Sequence, residues 1–240
     1  MTRKIAIVFG GSRGIGAAIV EQLANEGHDV ALTYVSRAPD SLPEVSGAKI
    51  AAYQADIRSS EEVAAVFSNV AADFGRAPDV VVANAGINVP PGPIAQFSAE
   101  SFRDLVEVNI VGAFNILQHA ARNVADNGAI VGLTTSLVRL AVPGVGAYSA
   151  TKAAFECLLR SMQKELAGRG VRVNGVAPGP VDTDLFRAGK DEAAVQRSAG
   201  MSPFNRVGEP KEVANVVAFL ASDKASWIAG QIVQPNGGLV

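Results

Sequence analysis

Lys4-Ile5-Ala6-Ile7-Val8-Phe9-Gly10-Gly11-Ser12-Arg13-Gly14-Ile15-Gly16 passes from an unbroken apolar run into a cluster of glycines, and then into a stripe at helical spacing, Ile15, Ala18, Ile19 and Leu23. A continuous apolar run suits a strand covered on both faces, where an alternating one would suit a strand with one wet face. The residues before it, Met1 to Lys4, superficially imitate the start of a signal peptide. The apolar part, Ile5 to Phe9, is too short for the apolar region of one, and is expected to be a buried first strand.

Outward from this unit the pattern repeats. Further strands are expected at Val30–Tyr34, Lys49–Gln54, Val80–Ala83, Ala129–Leu133, Val171–Val176 and Ile232–Val233. Helical stripes separate them: Val63, Val66, Phe67, Val70 and Phe74; then Phe102 through Asn109 to Leu117; then Tyr148 through Leu166; then Val213 to Leu220. Ser59 with Glu62 opens the first of these as a capping box, and Pro210 stands at a first-turn position of the last. Strands alternating with helices predict an α/β, doubly wound, Rossmann-type sheet of seven mostly parallel strands with helices on both faces. Without linker, repeat or low-complexity tract, residues 1–240 read as a single domain. Asn88–Pro93 and Ala177–Pro180 follow strands, where open α/β sheets bind ligands, and the weakly periodic Asp182–Arg206 reads as a substrate lid.

Composition excludes more than it selects. The 21 basic and 23 acidic residues leave a net charge of -2, with no sign of a nucleic-acid or membrane partner. No apolar run is long enough to span a bilayer. The single cysteine, Cys157, points to a reducing, cytoplasmic setting; within a helical pattern it is expected to be a small buried hydrophobe. His28 and His119 stand apart from other ligand-type residues and read as packing or surface groups, so no metal is expected.

The glycines at 10, 14 and 16 would let the backbone turn tightly and approach a pyrophosphate, which the N-terminus of the next helix attracts through its free N–H groups. At the end of the second strand, where NAD-users carry a carboxylate for the ribose 2′-OH, this chain has Tyr34, followed by Val35, Ser36 and Arg37. Missing repulsion, with Arg13, Arg37 and Ser36 as donors to a 2′-phosphate, predicts NADP(H) over NAD(H).

Tyr148 and Lys152, four apart on a helix, share a face. A free phenol titrates near pH 10; a neighbouring ammonium is expected to lower that value toward use as a general acid and base. Thr134-Thr135-Ser136, at the end of the fifth strand, offers hydroxyls for a substrate oxygen.

Gly10 to Gly16 resembles the T-G-x-x-x-G-x-G fingerprint of the short-chain dehydrogenases/reductases, with Phe9 where that family has a Thr that braces the turn. Asn84-Ala85-Gly86, Tyr148-x-x-x-Lys152, Val108-Asn109-Ile110-Val111-Gly112 and the Gly237-Gly238 end extend the likeness over essentially the whole chain. Pro235-Asn236 departs from the usual Val-Asp. The resemblance implies an NADP-dependent oxidoreductase interconverting a carbonyl and an alcohol. It implies cofactor contacts from Gly10, Ser12, Arg13, Gly14, Ile15 and Gly16, then Tyr34, Ser36, Arg37, Asp56 and Ile57, then Asn84, Ala85 and Gly86. Tyr148, Lys152, Pro178, Gly179, Val181 and Thr183 complete that set. The catalytic group it implies is Asn109, Thr135 or Ser136, Tyr148 and Lys152, with Thr135 in register and Ser136 one residue late, and Asn109 holding a water that connects Lys152 to solvent. It further implies a homo-tetramer or dimer, with Ala150, Ala153 and Ala154 permitting close helix approach. Reduction of 3-oxoacyl thioesters is the nearest alternative, weakened by Ala129 where a basic residue often stands in such enzymes. A silent dinucleotide-binding scaffold is more remote.

Overall fold

A computed structural model describes residues 3–240; Met1 and Thr2, the beginning of the leader-like start, lie outside them. Seven strands form one sheet: β1 (Lys4–Phe9), β2 (His28–Tyr34), β3 (Ile50–Gln54), β4 (Val80–Ala83), β5 (Ala129–Leu133), β6 (Arg172–Val176) and β7 (Ile232–Val233). Their order is β3-β2-β1-β4-β5-β6-β7, and every pairing is parallel. The chain starts at the middle, winds out to β3, and returns to lay β4 against β1. The direction of winding therefore reverses between β1 and β4, which opens a crevice at their carboxyl ends.

The helices are α1 (Gly14–Asn25), α2 (Ser60–Phe74), α3 (Ala99–Val106), α4 (Ala113–Asn123), α5 (Gly146–Leu166), α6 (Asp184–Arg187), α7 (Glu192–Gly200) and α8 (Pro210–Ala221). α1 and α8 cover one face, where Ile19, Leu23, Val213 and Val217 bury against Val8, Val30 and Val131. α2, α4 and α5 cover the other, where Val66, Ile116, Phe155 and Leu159 meet Ile7, Val81 and Ile130. Residues alternate between the two cores along each strand, as the pleat requires. Because both faces are covered, both sets are apolar.

The stripe from Phe102 to Leu117 is not one regular helix. Between α3 and α4 the turn Glu107–Gly112 is π-helical, with one residue more than an α-turn. It rotates Asn109 into the interior, where it is 1% exposed, and leaves Phe102 exposed. The weakly periodic segment 182–206 contains the short helices α6 and α7, each begun by a side-chain cap, Thr183 and Asp191.

Candidate active site

The glycine turn forms where β1 ends. Gly10 adopts φ of +74°, a conformation that disfavours any side chain. Phe9 is fully buried, its ring 5.8 Å from that of Phe67, and braces nothing in the turn. Thr33 of β2 supplies the brace: its Oγ1 accepts from Gly10 N at 3.0 Å and its carbonyl from Gly11 N at 3.0 Å. From the other side Asn84 Nδ2 donates to the Gly10 carbonyl at 2.8 Å. At Gly16 a Cβ would stand 2.7 Å from Asn84 Nδ2 and closer still to the Gly10 carbonyl oxygen. The N-cap residue of α1, Arg13, forms no side-chain cap, whereas Ser59, Ser98 and Asp191 cap α2, α3 and α7. The first-turn donors of α1 are without a side-chain acceptor among the described residues. Thr183 lies over this turn, its Cγ2 3.3 Å from where a Gly14 Cβ would be.

Along the neighbouring edge Tyr34 is half-buried, while Ser36 and Arg37 are exposed. Arg37 pairs with Asp40 at 2.7 Å; Arg13 is exposed and enters no ion pair among the described residues. Asp56 accepts from Arg58 Nε at 2.9 Å, and the Arg58 hydrogen bond holds its carboxyl below the usual range. The capping box at α2 is only half formed. Ser59 Oγ accepts from Glu62 N, but the Glu62 carboxylate reaches back to Asp56 N at 2.8 Å and fixes that loop instead. Asn115 Nδ2 donates to the Ile57 carbonyl at 2.9 Å.

Above the crevice, Lys152 is buried and donates to the Leu133 carbonyl at 3.0 Å, with its Nζ 6.0 Å from the Tyr148 ring centre. A Cβ on Gly86 would stand 3.2 Å from Lys152 Nζ and 3.1 Å from Asn109 Oδ1, so these three residues meet. Protein groups engage both ends of the Asn109 amide: it accepts from Ile87 N at 2.9 Å and donates to the Ile87 carbonyl at 2.9 Å and to Thr151 Oγ1 at 3.2 Å. It therefore clips the Asn84–Ile87 loop onto α5. The three hydroxyls after β5 differ. Ser136 is fully buried and donates to the Ala177 carbonyl at 2.8 Å. Thr134 donates to Glu156 Oε1 at 3.1 Å. Thr135 Oγ1 accepts from Leu137 N at 3.3 Å, which leaves its proton without an acceptor among the described residues.

Two expectations need correction. Burial pushes the Tyr148 phenol up to about 12, and burial pushes Lys152 down to about 8. The lowering expected from the lysine charge is outweighed, because low-dielectric surroundings penalise both charged forms. Cys157 is exposed rather than buried. It follows Phe155 by two residues, about 200° around the helix, and so leaves the face that Phe155 and Leu159 press on the sheet. Sequence reasoning missed Thr33, Asn115, Thr151 and Glu156. Each acts through a contact distant in the chain, and only the buried Asn115 and Glu156, polar residues within helical stretches, gave any signal.

Pro178 and Gly179 follow β6, and the strand is continued by a bridge between Val181 and Gly208 at the base of the 182–206 segment. A cavity of about 220 Å³ lies under that segment, lined by Val181, Phe204, Arg206 and Val213; Tyr148 is not part of it. The segment Asn88–Phe97 is tied across the crevice mouth by Gly92 N donating to the Gly144 carbonyl at 2.9 Å.

The family model described as enoyl-(acyl carrier protein) reductase matches residues 10–240. A short-chain type dehydrogenase/reductase of Picea abies is 39% identical over 99% of this chain and 92% of its own. An NADPH-dependent aldehyde reductase-like protein, chloroplastic, of Arabidopsis thaliana is 39% identical, covering 99% and 94%. The 3-oxoacyl-[acyl-carrier-protein] reductase FabG of Staphylococcus aureus is 38% identical, covering 98% of both. Among solved structures, a short chain dehydrogenase from Burkholderia cenocepacia in complex with NADP superposes with a TM-score of 0.90 at 33% identity, over 98% and 97% of the two chains.

Proposed function

Because the chain belongs to the short-chain dehydrogenase/reductase family, we propose that it is an NADPH-dependent reductase converting a carbonyl to a secondary or primary alcohol. The observation that carries this reading is the meeting of Lys152 and Asn109 at Gly86, with Tyr148 one turn from Lys152, near a glycine turn whose helix has no side-chain cap; Thr135, whose proton has no acceptor among the described residues, would supply the hydroxyl. The cradle fits a dinucleotide: a Cβ at Gly16 would strike the Gly10 carbonyl and Asn84, so glycine keeps the turn tight, and the α1 donors suit a pyrophosphate. Gly10, Ser12, Arg13, Gly14, Ile15 and Gly16 would hold it, together with Asn84, Ala85, Gly86, Pro178, Gly179, Val181 and Thr183. When bound, that cofactor supplies the hydride.

The chain's own groups handle the oxygen. Thr135 donates a hydrogen bond to the substrate carbonyl, and Tyr148 transfers its phenolic proton to the same oxygen as carbon is reduced. A phenol held near 12 is protonated at neutral pH, the state reduction requires. Lys152, fixed by Leu133, reprotonates the site through the water-accessible side near Gly86 and Asn109. Thr135→Val is expected to lower kcat about tenfold, the cost of one donor, while Ser136→Ala leaves it within about twofold. The opposite order in steady-state rates would give Ser136 the role.

Tyr34, Ser36, Arg13 and Arg37 support a 2′-phosphate, with Arg37 first released from Asp40. The pair is exposed and screened, so Arg37→Ala should raise the KM for NADPH only about three- to tenfold and leave that for NADH unchanged. Equal effects on both cofactors would remove the specificity argument. Asp56 and Ile57 would flank the adenine.

Reduction of 3-oxoacyl thioesters is a second reading, favoured by the 38% identical Staphylococcus aureus relative. An NADPH-oxidation screen of aldehydes, ketones, quinones and acyl thioesters separates the two, and silence across all of them favours a scaffold. We assign residues 182–206 as the substrate lid. Association into a tetramer suits the exposed Trp227 and Phe219, and Phe102 and Phe114; light scattering that returns a monomer at micromolar concentration would rule it out. The exposed, unpaired Cys157 fits a cytoplasmic setting, to be checked by cell fractionation.

A further inference from the structure

α5 carries a third functional-looking side chain below Tyr148 and Lys152. Glu156 lies a further four residues along, on the same face, and its carboxylate is 2% exposed. An isolated carboxylate in such a place is strongly disfavoured, so its partners define what it does. They are Thr134 Oγ1 at 3.1 Å, Arg139 Nη1 at 3.5 Å and Arg160 Nη1 at 3.6 Å. Arg160 belongs to the same helix. Thr134 and Arg139, by contrast, bracket Thr135 in the segment after β5, one residue before it and four after. The other holds on that segment run to β6 and the loop after it, Thr134 N onto the Val176 carbonyl at 2.7 Å and Ser136 onto Pro178 and Ala177, with its own short helical turn; none of these ties it to α5.

We propose that Glu156 is a positioning residue: it grips the 134–139 segment on both sides of Thr135 and locks it to the helix that carries Tyr148. The substrate oxygen needs the Thr135 and Tyr148 hydroxyls at once, and they reside on different elements. Glu156 joins those elements through a charged group that cannot slide as an apolar contact can. Thr134 discriminates between two acceptors, Glu156 at 3.1 Å and the Val176 carbonyl at 3.4 Å. Loss of the carboxylate charge leaves the Thr134 hydroxyl to the Val176 carbonyl and frees Arg139, so the segment, still held to β6 at Thr134 N, loses its tie to α5. An error of about 1 Å at a reacting group costs up to about 100-fold in rate.

This inference rests on the reading of Tyr148 and Thr135 above. The test uses the whole enzyme with NADPH and whichever carbonyl substrate the screen yields. Glu156→Gln keeps volume and hydrogen bonding but removes charge. We expect kcat to fall about tenfold, with the KM for NADPH unchanged, because the glycine cradle is built from β1, α1 and Asn84. Arg139→Ala, whose side chain is partly exposed and tolerant of truncation, should produce the same kcat loss, and the double variant no more than either single one. Glu156→Asp should restore part of the rate. A drop in melting temperature with kcat intact in the folded enzyme, or fully additive losses in the double variant, overturns the proposal. Tyr148→Phe runs alongside. If it retains activity, the functional reading itself is wrong; if it is dead while Glu156→Gln is unimpaired, only the role of Glu156 is.

Discussion

Tyr148→Phe is expected to reduce kcat for carbonyl reduction by about 10²- to 10⁴-fold while leaving NADPH binding within about twofold. The substitution removes one oxygen and nothing else, so the ring still packs at the start of α5. What is lost is a proton held next to the crevice in a group that burial pushes up to about 12. Hydride arrival would then generate an alkoxide with no acid to quench it. The same shift keeps the phenol in its neutral form. A neutral phenol is ready to give, whereas alcohol oxidation needs phenolate, which the buried site disfavours. The lysine adds a pH signature. With Lys152 pushed down by burial to about 8, its charge is present below that value and is lost above it. The kcat/KM for reduction is therefore expected to hold through neutral pH and to decline as pH climbs through about 8. A rate that survives Tyr148→Phe, or one that rises steadily through pH 8, would remove the proton-transfer role.

Gly16→Ala should cripple cofactor binding. A methyl there would be 2.7 Å from Asn84 Nδ2 and 2.9 Å from the Gly10 carbonyl carbon. It would wedge into the 2.8 Å hydrogen bond by which Asn84 holds the turn. Both neighbours are tightly held, one being backbone, so neither can rotate away. Overpacking of this kind costs about 1–3 kcal/mol, which corresponds to about 5- to 150-fold in the NADPH dissociation constant. Because the clash is confined to the turn, the sheet should still form, and saturating NADPH should recover most of kcat. Fluorescence titration reads the affinity directly. An unchanged dissociation constant would mean that the dinucleotide does not use this turn.

The strands were legible because a sheet covered on both faces demands unbroken apolar runs, and Val80–Ala83 and Ala129–Leu133 match residue for residue. The cradle was legible because glycine spacing is a backbone property. Three things were not. The π-turn at Glu107–Gly112 disturbs helical spacing by one residue, too little to break the stripe through Asn109. The helices of the 182–206 segment are short and one-sided, and depend on caps rather than on a core stripe. Spacing placed Tyr148 and Lys152 together, but it carried no measure of how dry their surroundings are. Burial then reversed the expected direction of the phenol shift. The candidate hydroxyl illustrates the same limit: sequence left Thr135 and Ser136 open, with register leaning to Thr135, and it carried no sign that Ser136 donates to the Ala177 carbonyl while the Thr135 proton has no acceptor among the described residues.

Thr33 ties two specificities into one mechanical part. Its hydroxyl and carbonyl hold Gly10 and Gly11, and the very next residues, Tyr34 to Arg37, form the edge proposed to sort one dinucleotide from the other. Any engineer who rewrites that edge to accept NADH also tugs on the knot that shapes the glycine bend. Cofactor swaps confined to residues 34–37 should therefore weaken grip on both dinucleotides, and a successful swap will need Thr33 left untouched.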